Sequence, residues 1–171
     1  MIFRVLHNVA PVAYNENYNT PGEINRAMES GDRLTFDGVY ANVYAHRRAL
    51  IHAKTKPILF ITGDYVGGDN IFDVNMPPEM FASWDQVISM AAHYNCEIGW
   101  HSWSHANLTQ VNDVELAREV APPFPMRYFA YPYGAQDARV RKAVSGEGYE
   151  RAFVVGDGVD ADPFQTGRSY L

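Results

Sequence analysis

The chain has 171 residues, a net charge of −6 and no basic run, with 47% apolar and 20% charged residues. That length suits one domain with a substantial core, here expected to span residues 1–171. Nucleic acid and anionic membrane surfaces are excluded as expected partners, because both require clustered Lys and Arg, and no segment approaches the about 18 apolar residues of a membrane span.

The chain opens with MIFRVLHNVAP, where the apolar run ends at His7 and Asn8. That run is too short for a signal-peptide core, so a cytoplasmic location is expected. Residues 2–6 read as a short buried strand, 7–22 as a long polar loop, and a short helix is expected after Pro21 and Gly22. RLTF (33–36) reads as a second strand ending at Asp37-Gly38, and residues 40–54 have helical character. PILFIT (57–62) is a continuous apolar run stopped by Gly63, the pattern of a strand covered on both faces. A Gly/Pro/Asp-rich loop follows over 63–82, and Ser83 with Gln86 forms a capping box for a helix over 84–94. CEIGW (96–100) is the next strand, with the sole cysteine, Cys96, at its start. One cysteine excludes an internal disulfide and a Cys-rich metal site. Asp113 is expected to cap a helix through Val120, which APPFP ends. RYFAY (127–131) is a strand before the turn PYG, Asp137 caps a helix to about Ser145, and RAFVV (151–155) is a last strand.

Strands alternating with helices predict a parallel α/β arrangement, either an open sheet or a barrel. Chemistry in such folds gathers at the carboxyl ends of strands. Asp37, Asp64, His101 and Tyr131–Gly134 each follow a predicted strand directly.

GWHSWSHANL (99–108) sets His101 and His105 four residues apart. In a helical or tightly turned segment two such imidazoles face one metal ion; alternatively they are loop residues stacked on Trp100 and Trp103. Asp37 at a strand's carboxyl end suits a general base, while Asp-Gly is equally a common turn pair. In FAYPYG (129–134), Pro and Gly fix the backbone around an aromatic. A fixed backbone can aim an N–H at an oxyanion, or form a rigid turn without chemistry. His7 follows a strand and is either a general acid or a structural hydrogen-bonder.

Four segments occur together and in order: LTFDGVYANVY, ILFITGDYVGG, SWDQVISMAAHYNCEIGWHSWSHANLTQ and RYFAYPYGAQD. They closely resemble the NodB-homology polysaccharide deacetylases, carbohydrate esterase family four, over most of the chain from about Val5 to Phe164. The resemblance implies a distorted (β/α) barrel and a divalent metal, usually zinc. It further implies hydrolysis of acetyl groups on N-acetylated sugars of an oligo- or polysaccharide. By the same resemblance His101 and His105 are metal ligands, Asp37 is the general base, and the backbone N–H of Tyr133 helps form the oxyanion hole. Trp103, Tyr131 and Arg168 are expected on the substrate side.

The chain departs from the family pattern in three places. The second Asp of the family's TFDDG motif, a metal ligand, aligns without gaps to Gly38. With a one-residue deletion, Asp37 would be the ligand instead and the base would be missing. Asp64 is the expected substitute ligand in the ungapped alignment. Ala130 stands where many members carry an Arg that orients the base, and Arg168 is its candidate replacement. The late His motif that supplies the acid is absent, and His7, in a segment similar to the YHxV of a permuted branch, is the candidate acid. A glycan-binding domain without turnover is the alternative that Gly38 leaves open.

Overall fold

The computed structural model describes residues 3–6, 26, 28, 29, 31–70, 78–159 and 161–170. The strands are β1 (Phe3–Leu6), β2 (Arg33–Asp37), β3 (Ile58–Ile61), β4 (Glu97–Trp100), β5 (Tyr128–Ala130), β6 (Arg151–Phe153) and β7 (Ser169–Tyr170). They form one sheet in the order β6-β5-β4-β3-β2-β1-β7, and every strand pair is parallel.

The sheet curls back on itself. Residues 166–168 hydrogen-bond to the β6 side, through Val154 N–H to Thr166 O at 3.0 Å and Gly156 N–H to Arg168 O at 2.7 Å. The same segment then runs into β7, which pairs with β1. The result is the expected distorted (β/α) barrel, with residues 166–170 as its closing stave.

The alternation of side chains along a strand sorts the core into two layers. Ile58 and Phe60 of β3 join Tyr128, Ala130 and Phe153 inside the barrel. Leu59 and Ile61 face outward into a larger cluster with residues of the surrounding helices. A strand buried on both faces has no polar alternation, which is why ILFI reads as a solid apolar run.

The helices are α1 (Ala41–Ala45), α2 (Arg47–Leu50), α3 (Trp84–His93), α4 (Asp113–Val120) and α5 (Ala138–Gly146). The single helical stretch expected over 40–54 is broken at His46, where φ −95 and ψ 6 leave the helical region. The Ser83–Gln86 capping box is formed in both directions. Asp137 caps α5 through Val140 N–H at 2.8 Å. The cap of α4 is Asn112 rather than the expected Asp113. The Asn112 side chain accepts from Val114 and Glu115, and Glu115 answers the Asn112 N–H. The Asp113 carboxylate instead pairs with Arg139. Among the described residues, no helix is long and apolar enough to cross a membrane.

Candidate active site

Asp37 ends β2, and its carboxylate is held by Arg168 from the closing segment. Arg168 donates from Nη1 to Oδ1 at 2.6 Å and from Nη2 to Oδ2 at 2.8 Å. Nη1 also donates to Thr35 Oγ1 at 3.1 Å, and the guanidinium lies over the Phe60 ring at 5.1 Å. The Arg168 side chain is fully buried and that of Asp37 nearly so. A guanidinium bonded at both tips is geometrically fixed and fixes the carboxylate plane in turn. Arg168 therefore corrects its expected place on the substrate side: it points into the barrel and orients Asp37.

His101 follows β4, with Nε2 4.0 Å from Asp37 Oδ2. His101 Nδ1 lies 2.7 Å from the Ala130 carbonyl, which requires the proton on Nδ1 and leaves the Nε2 lone pair outward. The segment between the histidines is a tight turn, not a helix. Ser102 and His105 both adopt left-handed backbone, at φ 69 and φ 59. The Ser102 hydroxyl accepts from His105 N–H at 3.0 Å. This turn brings His105 Nε2 to 3.2 Å from His101 Nε2.

Both imidazoles are held in the neutral form. Burial lowers the His101 pKa from its ordinary 6.5, outweighing the Asp37 charge that raises it. Burial, then the neighbouring His101, pushes His105 down to about 4. Neutral imidazoles keep lone pairs for a cation. Two nitrogens each about 2.0–2.1 Å from a tetrahedral ion stand roughly 3.3 Å apart, close to the separation found here. The pair thus fits a divalent ion as two of its ligands.

Among the described residues a third protein ligand is not in place. Among the described residues, no three His, Cys, Asp or Glu side chains are grouped to hold a metal. Both Asp37 oxygens face Arg168. Gly38, at φ +67, has no side chain to offer. Asp64 does lie at the carboxyl end of β3, on the turn Gly63–Tyr65. However, its half-exposed carboxylate faces Arg118 at 4.0 Å. This corrects the expectation that Asp64 joins the histidines.

Tyr133 sits on the turn Pro132–Gly134 with φ 59 and ψ 8. Left-handed backbone at a bulky non-glycine residue is uncommon and gathers at working sites. Its ring stands 4.7 Å from that of His105 and is largely exposed. Tyr131 is fully buried and donates its hydroxyl to the Phe164 carbonyl at 3.1 Å, so it anchors the closing segment and does not face substrate. Trp103 is likewise structural. Its indole donates to the Ala121 carbonyl at 2.9 Å and packs edge-on against Trp100. A side chain at Gly63 would come within 2.3 Å of the Trp103 ring, so that close approach requires glycine. His7 lies outside the described residues.

The model of the family described as polysaccharide deacetylase matches residues 33–152, more than half of the chain. The chain belongs to the polysaccharide deacetylase family. Solved structures agree in fold. A polysaccharide deacetylase from Bacillus cereus superposes with TM-score 0.73 at 14% identity, covering 99% of this chain and 64% of that protein. The chain therefore spans less than two thirds of that relative's length. IcaB from Ammonifex degensii gives TM-score 0.71 at 19% identity, covering 99% of this chain and 91% of that one. The Streptococcus pyogenes deacetylase PplD, solved in complex with acetate, gives TM-score 0.71 at 13% identity, covering 100% and 91%. No curated protein sequence matches.

One buried charge near the site escaped the sequence reading. Glu119 of α4 is 5% exposed and turns toward the histidine loop. Its signal was present: Leu116, Glu119 and Val120 are the buried stripe of α4 at helical spacing, and a carboxylate on such a stripe calls for a partner.

Proposed function

We propose that this chain is a metal-dependent hydrolase that removes acetyl groups from N-acetylated sugars of a polysaccharide or glycan. The observation that supports it most is the neutral imidazole pair, with Nε2 atoms 3.2 Å apart, beside the Asp37 carboxylate. His101 and His105 would hold the divalent ion, zinc in the first instance, with water where the described residues offer no third protein ligand. Such an ion, when bound, supplies Lewis acidity at the acetyl carbonyl and lowers the pKa of water.

The chain's own groups do the rest. Arg168 holds the Asp37 carboxylate in one plane and uses one lone pair of each oxygen. Oδ2, the oxygen nearer His101, accepts a proton from the attacking water. The Tyr133 N–H donates to the oxyanion as it develops, on a turn already held in its unusual conformation. The exposed Tyr133 ring offers a sugar an apolar face beside His105. His7 protonates the leaving amine.

The test is incubation with an N-acetylated chito-oligosaccharide and zinc, with acetyl loss followed by mass spectrometry. Acetyl release that disappears in His101→Ala is the expected result. Binding of the oligosaccharide with no release under any divalent metal would make the chain a glycan-binding domain instead.

A further inference from the structure

We infer that Glu119 is a positioning residue for His105, holding the loop between the two histidines in the one conformation that pairs their rings. The inference rests on the imidazole pair being the working centre.

The three bonds of the Glu119 side chain all go to the two residues before His105. Oε2 accepts from the backbone N–H groups of Trp103 and Ser104, each at 2.9 Å. Oε1 accepts from the Ser104 hydroxyl at 2.9 Å. The Glu119 carbonyl also accepts from Trp100 Nε1 at 3.0 Å. One residue of α4 thus grips the last residue of β4 and the far arm of the turn.

Packing does not explain a carboxylate there. A buried charge is costly unless fully hydrogen-bonded, and an aliphatic residue would fill the Leu116–Val120 stripe without that cost. Among the described residues, no Lys or Arg pairs with Glu119; the neighbouring Arg118 faces Asp64. The compensation is therefore the charge-assisted bonds to the loop.

Those bonds fall where the backbone needs them. Ser102 and His105, on either side of the gripped pair, are both left-handed. Two such residues in one short turn are unfavourable unless the surroundings over-determine them. Fixing both intervening N–H groups to one carboxylate oxygen leaves the turn little alternative. His105 then has its ring 4.8 Å from that of His101 and 4.7 Å from that of Tyr133.

The test uses the full chain, free of metal, with Glu119→Ala, Glu119→Gln, Ser104→Ala and a core control, Val144→Ala. Nuclear Overhauser contacts from the His105 ring to the His101 and Tyr133 rings are measured with thermal melts. Glu119→Ala should lose both contacts while keeping its far-UV circular dichroism. Glu119→Gln, which can still accept from the N–H groups, should retain them in weakened form. Val144→Ala should lower Tm and leave them intact. In a parallel cobalt titration Glu119→Ala should bind about tenfold more weakly or worse, and Glu119→Gln less so.

Unchanged ring contacts in folded Glu119→Ala overturn the inference, as does equal loss in Val144→Ala. If Glu119→Ala does not fold, intact contacts in both Glu119→Gln and Ser104→Ala overturn it, and weakened contacts in both support it. Failure of the wild type to bind cobalt would count against the proposed function, while the ring contacts would still judge Glu119.

Discussion

The two ends of the barrel handle charge in opposite ways. At the amino ends of the strands, Arg33 pairs with Glu97, Arg127 bonds Glu97 at 3.2 Å, and Arg127 forks onto Glu150 with two bonds of 2.7 Å. Both arginines also lie over the Tyr128 ring. Each of these charges meets an opposite charge, in a partly buried pair at Arg33–Glu97 and an exposed one at Arg127–Glu150. At the carboxyl ends, two imidazoles are kept neutral by burial and one carboxylate is locked to a fully buried guanidinium. The backbone divides the same way. Of the four described non-glycine residues with positive φ, Asn95, a tolerant residue type, precedes β4, while Ser102, His105 and Tyr133 follow strands. The exposed Arg127–Glu150 pair can be lost with little consequence, whereas buried groups and strained turns depend on each other.

The largest effect should come from breaking the buried pair. Arg168→Ala leaves Asp37 almost buried without its guanidinium, a change expected to cost about 3–5 kcal/mol. Urea unfolding should show it, and any acetyl release should vanish with it. A loss no larger than that of a surface substitution would mean that Asp37 reaches solvent freely.

Acid should separate the two ends next. The unfolded chain takes up imidazole protons near pH 6.5, whereas folded His105 resists until about pH 4 and folded His101 is also depressed. The unfolded state therefore binds more protons across that window, so stability falls as pH drops from 6.5 toward 4 and is fully present above 6.5. Replacing His105 with Gln should flatten that part of a Tm-against-pH curve. An unaltered slope would place the acid sensitivity elsewhere.

Gly38→Asp sharpens the reading of the incomplete ligand set. The new Cβ meets the Phe81 ring at an ordinary 3.4 Å, but φ +67 disfavours a side chain. About 1 kcal/mol of stability should be lost, with tighter zinc binding in calorimetry. Equal, tight, one-to-one binding by wild type and variant would show that the wild-type site needs no added carboxylate. At the opposite end Arg127→Ala should have the smallest effect, a melting midpoint close to wild type and unchanged acetyl release.

Much of this was legible in the sequence because the signals are local. A strand covered on both faces reads as an apolar run, and the Ser83–Gln86 and Asp137 caps stand three residues from the N–H groups they bind. The pairing of Asp37 with His101 and His105 followed from their places at the carboxyl ends of β2 and β4, parallel strands on either side of β3. What escaped depends on closure. β7 is only two residues long and carries no periodicity. Arg168 is the candidate to orient the base, but its buried place inside the barrel follows only once the sheet curls and turns it inward. Tyr131 and Trp103 looked like sugar-stacking aromatics because a sequence does not say which hydroxyl or indole already has a carbonyl to bond.

Arg168 also sets the order in which the site can exist. It lies 131 residues beyond Asp37. At translation rates of 5–20 residues per second, roughly 7–26 seconds separate their appearance at the ribosome. Through that interval a nascent chain can already hold β2, β3 and β4 with both histidines, yet Asp37 lacks its guanidinium and the barrel lacks its last stave. Chemistry that depends on that carboxylate's orientation is thereby withheld until Arg168 has been made and has docked, so the last-made partner ties the site to closure of the barrel.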